Sequence, residues 1–227
     1  MIESIVGRSR MLAPLSETEK TIIRSAIKLF LENGFTETTL KMISDDTGIR
    51  QGTLCYHFHT KEEMLYLLMQ EVMDYHSEII DNILNETEDK LFAYAMEISI
   101  QIALCEQYDK VNDVYRSSYN HQGTLDFIRA WGAKKNHALL GDWLPEWSLS
   151  DFAVHENLAI GLENSSFIMK CNDEITLEDK VSKILEALML VYRIPEDERN
   201  KTIKRVIATN LPDVAKKVYA RFMQRIG

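Results

Sequence analysis

Residues Thr39–Lys61 read TLKMISDDTGIRQGTLCYHFHTK. Thr39 is a good N-cap, Met42 and Ile43 turn inward on the short helix it opens, and Gly48 ends that helix with the residue type that enters left-handed backbone at no steric cost. A second, very short helix is predicted from about Gln51 to His57, with Leu54 and Phe58 facing the core. Two such helices joined by a tight turn form a helix-turn-helix, a unit whose second helix enters the DNA major groove. The segment also carries the donors this docking needs. Thr39 sits at a helix N-terminus, where its hydroxyl and backbone N–H can meet a phosphate. Lys41 and Lys61 flank the short helix as cations, and Tyr56 and His57 add hydroxyl and imidazole donors. Gln51 and Thr53 have the reach for base edges, and Gly52 permits close approach. The plain alternative, a purely structural helix pair, fits Leu40, Met42, Ile43, Ile49, Leu54 and Phe58, which read as core.

Outward from this segment the apolar residues keep three-to-four spacing. Ser16-Glu17-Thr18-Glu19 is a capping-box start, followed by a stripe of Ile22, Ile23, Ala26, Ile27 and Phe30. Gly34 stops that helix, with Phe35 placed to fold back on its last turn. Thr60-Lys61-Glu62-Glu63 is a second capping box, opening a long helix through Met64, Leu65, Leu68, Val72, Tyr75 and Ile79. Further helices are expected over 89–107, 111–120, 123–140, 149–171, 177–193 and 196–225. Ser148 with Asp151 and Thr176 with Asp179 act as caps, Trp143–Trp147 forms a loop, and Pro212 kinks or splits the last helix. Alternating period-two runs are hard to find, so the fold class is all-α.

The formal charge of −9 seems adverse to DNA binding until it is divided along the chain. Residues 1–61 carry eight Lys/Arg against seven Asp/Glu, residues 62–195 ten against twenty-four, and residues 196–227 eight against four. The acidity therefore lies away from the reading unit, and phosphate contact depends on local cations and backbone donors. The N-terminus has no apolar run typical of a leader, and no window reaches eighteen apolar residues, so a cytoplasmic location without membrane contact is expected. Cys55, Cys105 and Cys171, odd in number and far apart, fit free thiols. A redox role for Cys55 would need a nearby resolving cysteine, and without one an inert thiol is expected.

Residues 16–80 resemble the tetracycline-repressor (TetR) family of bacterial transcription regulators. The resemblance runs through Gly34-Phe35, Thr38-Thr39-Leu40, Ile43, Gly48-Ile49, Gly52-Thr53-Leu54, Tyr56-His57-Phe58 and Thr60-Lys61-Glu62-Glu63. It implies an N-terminal arm and helix-turn-helix domain over 1–62, joined to a helical ligand-binding and dimerisation domain over 63–227. It also implies that Gln51, Gly52 and Thr53 face bases while Thr39, Tyr56, His57 and Lys61 hold the backbone. Cys55 departs from the family's usual aromatic, and Arg50 from its usual small N-cap; Arg50 can supply a phosphate or guanine contact in return. The implied function is a repressor released from an inverted-repeat operator on double-stranded DNA by an unknown small-molecule effector.

The same resemblance implies a homodimer through the helices near 149–171 and 177–193. The latter has two apolar stripes, Leu177–Val181–Ile184–Leu188–Val191 and Leu185–Met189–Tyr192; one is expected to need a second surface, unless the C-terminal helix covers it. The predicted helix around Ile98–Leu104 is apolar nearly all round, so Glu97 and Gln101 are expected to be buried and to need partners. With Trp131, His155 and Glu163 they form the candidate effector set, each weighed against an ordinary structural role. An apolar pocket of about 300 Å³ or more is expected between 89–140 and 149–171. No catalytic residue, metal site or cofactor is expected: HExxH, CxxC, phosphate-loop and serine-elbow patterns are absent from the sequence. The alternatives kept open are an effector-independent DNA-binding protein and a small helical enzyme.

Overall fold

The computed structural model describes residues 15–226. The expected N-terminal arm lies outside them. Among the described residues eleven α-helices follow one another: α1 (Glu17–Asn33), α2 (Leu40–Thr47), α3 (Gln51–His57), α4 (Lys61–Thr87), α5 (Lys90–Gln107), α6 (Asp109–Asn120), α7 (Gln122–Leu140), α8 (Leu149–Ile168), α9 (Leu177–Val191), α10 (Glu196–Ile207) and α11 (Leu211–Ile226). No strand occurs among the described residues.

The caps set most boundaries. Ser16, Ser148 and Thr176 each accept a hydrogen bond from the backbone three residues on, and Glu19, Asp151 and Asp179 return it. Thr60 forms only half of the expected box: its hydroxyl accepts from Glu63 N, but the Glu63 carboxylate accepts from His59 N at 3.1 Å. Gly34 ends α1 at φ 92°, ψ 156°, a region essentially closed to other residues, and the Phe30 and Phe35 rings close edge-on at 5.1 Å. Gly48 ends α2 in the left-handed region at φ 70°.

The segment expected as one helix over 196–225 is two, α10 and α11, separated at 208–210. Pro212 explains the break, because its ring would strike the carbonyl four residues earlier in a continuous helix; in the first turn of α11 its missing N–H costs nothing. The Asn210 side chain caps the restart by accepting from Asp213 N. The helix expected to 171 stops at Ile168, and the one expected to 193 stops at Val191.

α5 is the central post, with fourteen of its eighteen residues buried. Helices α4, α6, α7, α8, α9, α10 and α11 all pack on it, α8 lying more extensively against α7 and α9. On α9, Leu185, Met189 and Tyr192 of one stripe are fully buried within the chain, as are Val181 and Leu188 of the other, whose Leu177, Ile184 and Val191 stay half-buried; α10 packs against α9. The apolar side chains left on the surface belong instead chiefly to α8: Val154, Leu158 and Ile168, joined by Leu190 of α9.

A side-chain joint ties the three N-terminal helices to α6, and another clasps α11 to α4. Thr36, between α1 and α2, donates its N–H and hydroxyl to the Asp113 carboxylate of α6 at 2.8 and 2.7 Å. At the far end, Arg225 of α11 donates to Glu71 and to both oxygens of Glu78 on α4.

Candidate nucleic-acid interface and buried polar network

Helices α1–α3 and the start of α4 close around Ile22, Ile23, Ile27, Phe30, Ile43 and Leu54, each at most 1% exposed. Burying Leu54 and Phe58 fixes the rotation of α3, a helix too short to hold itself. It turns Arg50, Gln51, Gly52, Thr53 and Tyr56 outward, next to exposed Thr39 and Lys41. Tyr56 is 79% exposed, the most open of the exposed large hydrophobic residues. At Gly52 an added Cβ would meet nothing within 4 Å, and the backbone angle is not the left-handed one. Neither packing nor strain within the chain requires glycine there.

The candidate contact residues differ in how free they are. Thr39 caps α2 by accepting from Met42 N at 3.2 Å, which leaves its O–H to donate outward. Lys41 pairs with Asp45 at 2.6 Å on the open surface, a bond worth little in water. His57 is half-buried, its Nδ1 3.4 Å from Glu19 Oε1. Arg50 has no ion pair among the described residues and makes no side-chain cap. Lys61 is not the free flanking cation the sequence suggests. Its ammonium donates to the carbonyls of Phe35, Thr36 and Thr38 at 2.8, 3.2 and 3.1 Å and lies 4.3 Å from the Phe35 ring centroid. Three converging carbonyl dipoles and a ring face bind an ammonium inward more favourably than an open surface does.

A second polar cluster lies deep in the body. Glu97 of α5, 1% exposed, accepts from His76 Nδ1 at 2.7 Å, from Lys135 Nζ at 2.9 Å and from the Gln101 amide. His76 Nε2 meets the Tyr115 hydroxyl at 2.9 Å. The Lys135 ammonium also sits over the ring of Trp131, at 4.8 Å. Burial pushes the Glu97 carboxyl up, but Lys135 and His76 outweigh it and hold it near 2. Two turns apart on α8, Glu156 and Glu163 are also buried. Glu156 accepts from Asn136 at 2.7 Å and Tyr192 at 2.6 Å, and Glu163 accepts from Tyr119 at 2.8 Å. Burial, then the neighbouring Glu156, raises Glu163 to about 8; burial also raises Glu156. Gly132 of α7 is needed here, since an added Cβ would fall 1.9 Å from Glu156 Oε1.

Of the five expected effector residues, the structure joins Glu97, Gln101 and Trp131 in this network and puts Glu163 in its electrostatic reach. It leaves out His155, which stacks on Trp147 at 3.9 Å and bonds Asp151 O. None of the five lines the two apolar cavities found beside α4, α5 and α11. The space expected to hold a pocket contains polar side chains bonded to one another. Sequence reading missed His76, Lys135, Glu156 and Tyr115. His76 and Glu156 were findable, because each interrupts the apolar stripe of its helix. Among the described residues no group of three or more His, Cys, Asp or Glu is placed to hold a metal ion, and no helix is long and apolar enough to cross a membrane.

A three-helix head whose last turn feeds a long helix into an all-helical body defines a helix-turn-helix protein of two-part build. Residues 22–66 match the model of the bacterial regulatory proteins of the tetR family. Among curated relatives, the HTH-type transcriptional repressor KstR2 of Mycobacterium tuberculosis is 30% identical over 83 residues, 35% of this chain and 42% of that protein. The biofilm operon negative transcriptional regulator IcaR of Staphylococcus epidermidis is 37% identical over 68 residues, 30% of this chain and 35% of that protein. The chain thus spans less than half the length of these relatives. The solved structure of RolR in complex with resorcinol shares the fold, with a TM-score of 0.67 at 14% identity over 83% of this chain and 94% of that one. The chain is thus similar to the tetR family over its N-terminal segment, residues 22–66.

Proposed function

We propose that this protein is a sequence-specific DNA-binding repressor that acts as a homodimer and leaves its operator when a small molecule binds the helical body. The observation that carries this reading is the outward face of α3. Arg50, Gln51, Gly52, Thr53 and Tyr56 stand exposed beside Thr39 while the residues between them hold the core. A large exposed tyrosine and a glycine that nothing inside the chain requires make sense against an outside surface that approaches closely, as a phosphate backbone does. The names of KstR2 and IcaR support repression, and the resorcinol complex of RolR supports a body that takes small molecules.

The dimer is assigned to α8, with the end of α9 beside it. Val154, Leu158, Gly161, Ser165 and Ile168 follow one another along the exposed side of α8, and an added Cβ at Gly161 would meet nothing within 4 Å. A stripe of apolar and small residues permits a second copy of the helix to approach closely. A two-fold dimer sets two reading heads about one helical turn of DNA apart, or a multiple, so the operator is an inverted repeat.

Selection from random duplexes followed by gel shift tests the reading; recovery of no palindromic site at moderate salt would sink it. Gln51→Ala and Thr53→Ala are expected to relax base preference at single positions, each by about 1–3 kcal/mol of discrimination. Arg50→Ala is expected to weaken all sequences alike and lower the salt slope by about 1. Lys61→Ala separates from these: its main effect is a lower melting temperature, because its ammonium holds the loop between α1 and α2.

A further inference from the structure

The two apolar cavities lie away from the polar network. The larger, about 150 Å³, is enclosed by Ile79 and Ile83 of α4, Phe92, Met96 and Ile100 of α5, and Val214 of α11. The smaller, about 40 Å³, reaches Leu31 of α1. They share two walls, Tyr75 and Val218, and there the Tyr75 hydroxyl donates to Val218 O at 3.3 Å. Asn82, Glu86, Thr87 and Thr209, half-buried or exposed, form the rim of the larger cavity.

We infer that the larger cavity is the effector site, and that it takes a small uncharged molecule of one ring or a short alkyl chain with at most one hydroxyl at the rim; this rests on the repressor reading above. Volume sets the size, since an apolar cavity of about 150 Å³ accommodates benzene. The lining sets the charge. No Lys or Arg lines either cavity, so an anion has no partner. The one carboxylate, Glu86, is exposed at the rim, and both ring nitrogens of His76 are engaged, by Glu97 and Tyr115. A charged guest would lose its water without compensation. Burial raises the Tyr75 phenol above its ordinary range, so this wall stays neutral as well.

The location supplies a route to the reading head. α11 is clasped to α4 by Arg225 with Glu71 and Glu78, and by the Tyr75–Val218 bond. A guest too long for the larger cavity displaces Tyr75, opens the smaller one and reaches the wall made by Leu31 of α1. Occupancy is thereby felt on α4 and α1 together, the two helices that position α3.

The test uses the full chain with benzene and 1-hexanol as probes, and hexanoate and hexylammonium as matched charged controls. Carbon-13 methyl NMR is expected to show saturable shifts at Ile79, Ile83, Met96 and Ile100 with the neutral probes, and at least about tenfold weaker binding of both ions. Ile83→Trp, which places an indole in the cavity, removes the shifts at the remaining methyls; Val214→Phe does the same if the first variant does not fold. Shifts elsewhere, or equal binding of either ion, overturn the assignment. DNA retention is measured first without a probe, on duplexes recovered by selection. Failure at that stage overturns the repressor reading, and the methyl shifts then still decide the cavity's ligand. With DNA bound, saturating 1-hexanol is expected to lower affinity at least about fivefold in the wild type and not in Ile83→Trp. Undiminished retention at saturation overturns the effector role.

Discussion

Replacing Lys135 by Met is expected to cost about 3–5 kcal/mol of stability at pH 7, the range for leaving a buried charge without its partner. Lys135 is 8% exposed in its side chain, and its ammonium faces Glu97 directly and Glu163 and Glu156 at longer range. Burial disfavours its charge, yet these carboxylates outweigh that and raise its pKa. Without it, Glu97 keeps only His76 and Gln101. The loss should therefore shrink as the pH falls and the carboxylates take up protons. The double variant Lys135→Met with Glu97→Gln should recover much of it, because removing both charges leaves no uncompensated ion. Urea unfolding at pH 7 and pH 5 measures both effects. Equal losses at the two pH values would contradict this account.

The same cluster gives a signed pH dependence. Glu163 is held at about 8 against an ordinary value of 4.5, so the folded chain keeps a proton that the unfolded chain releases. The stability tied to that proton is full below about 4.5 and lost as the pH rises through about 8. Glu97 works in the opposite direction: its contribution is present above 4.5 and lost as the pH falls through about 2. Glu163→Gln keeps an acceptor for Tyr119 and is expected to flatten the stability profile between pH 5 and 8. Denaturation midpoints that stay parallel to the wild type across that range would refute the assignment.

Leu158→Glu is expected to yield a folded monomer with operator affinity at least about a hundredfold lower. Leu158 is 60% exposed, so the substitution spares the core, while a carboxylate facing its own copy across a two-fold axis adds like-charge repulsion. A lone reading head also loses the effective concentration that its tethered twin provides. Sedimentation shows the mass, circular dichroism the fold, and gel shift the affinity. A dimer of unchanged stability would remove α8 from the interface.

The reading head was legible because its instructions are local. Ser16 with Glu19, Gly34, Thr39, Gly48 and Thr60 each act within a few residues, and together they define α1 to α4. The body was legible in helix number and less so in how those helices meet. The two stripes of α9 were visible, but the packing of α10 beside them depends on the turn at Tyr192–Pro195, which no periodicity encodes. The burial of Glu97 and Gln101 followed from an all-apolar helix. Their partners, His76 and Lys135, come from 21 and 38 residues away and meet them only through tertiary packing. The expected pocket failed for a related reason. Its place was judged from helices α5 to α8, whereas the cavities depend on where α11 docks after the break at Pro212.

The seat of Lys61 has a mechanical consequence. The first residue of α4 is bonded to the carbonyls that precede α2, so the head and its longest helix turn as one rigid lever. At ~1.5 Å per residue α4 is ~40 Å long, and a tilt of a few degrees displaces its far end by about 3 Å. With Thr36 held on Asp113, the fulcrum lies at the head's own edge. Motion of about 3 Å beside Ile83 would then turn the head by the same few degrees, and in the proposed dimer that rotation misaligns two heads set against successive turns of one duplex.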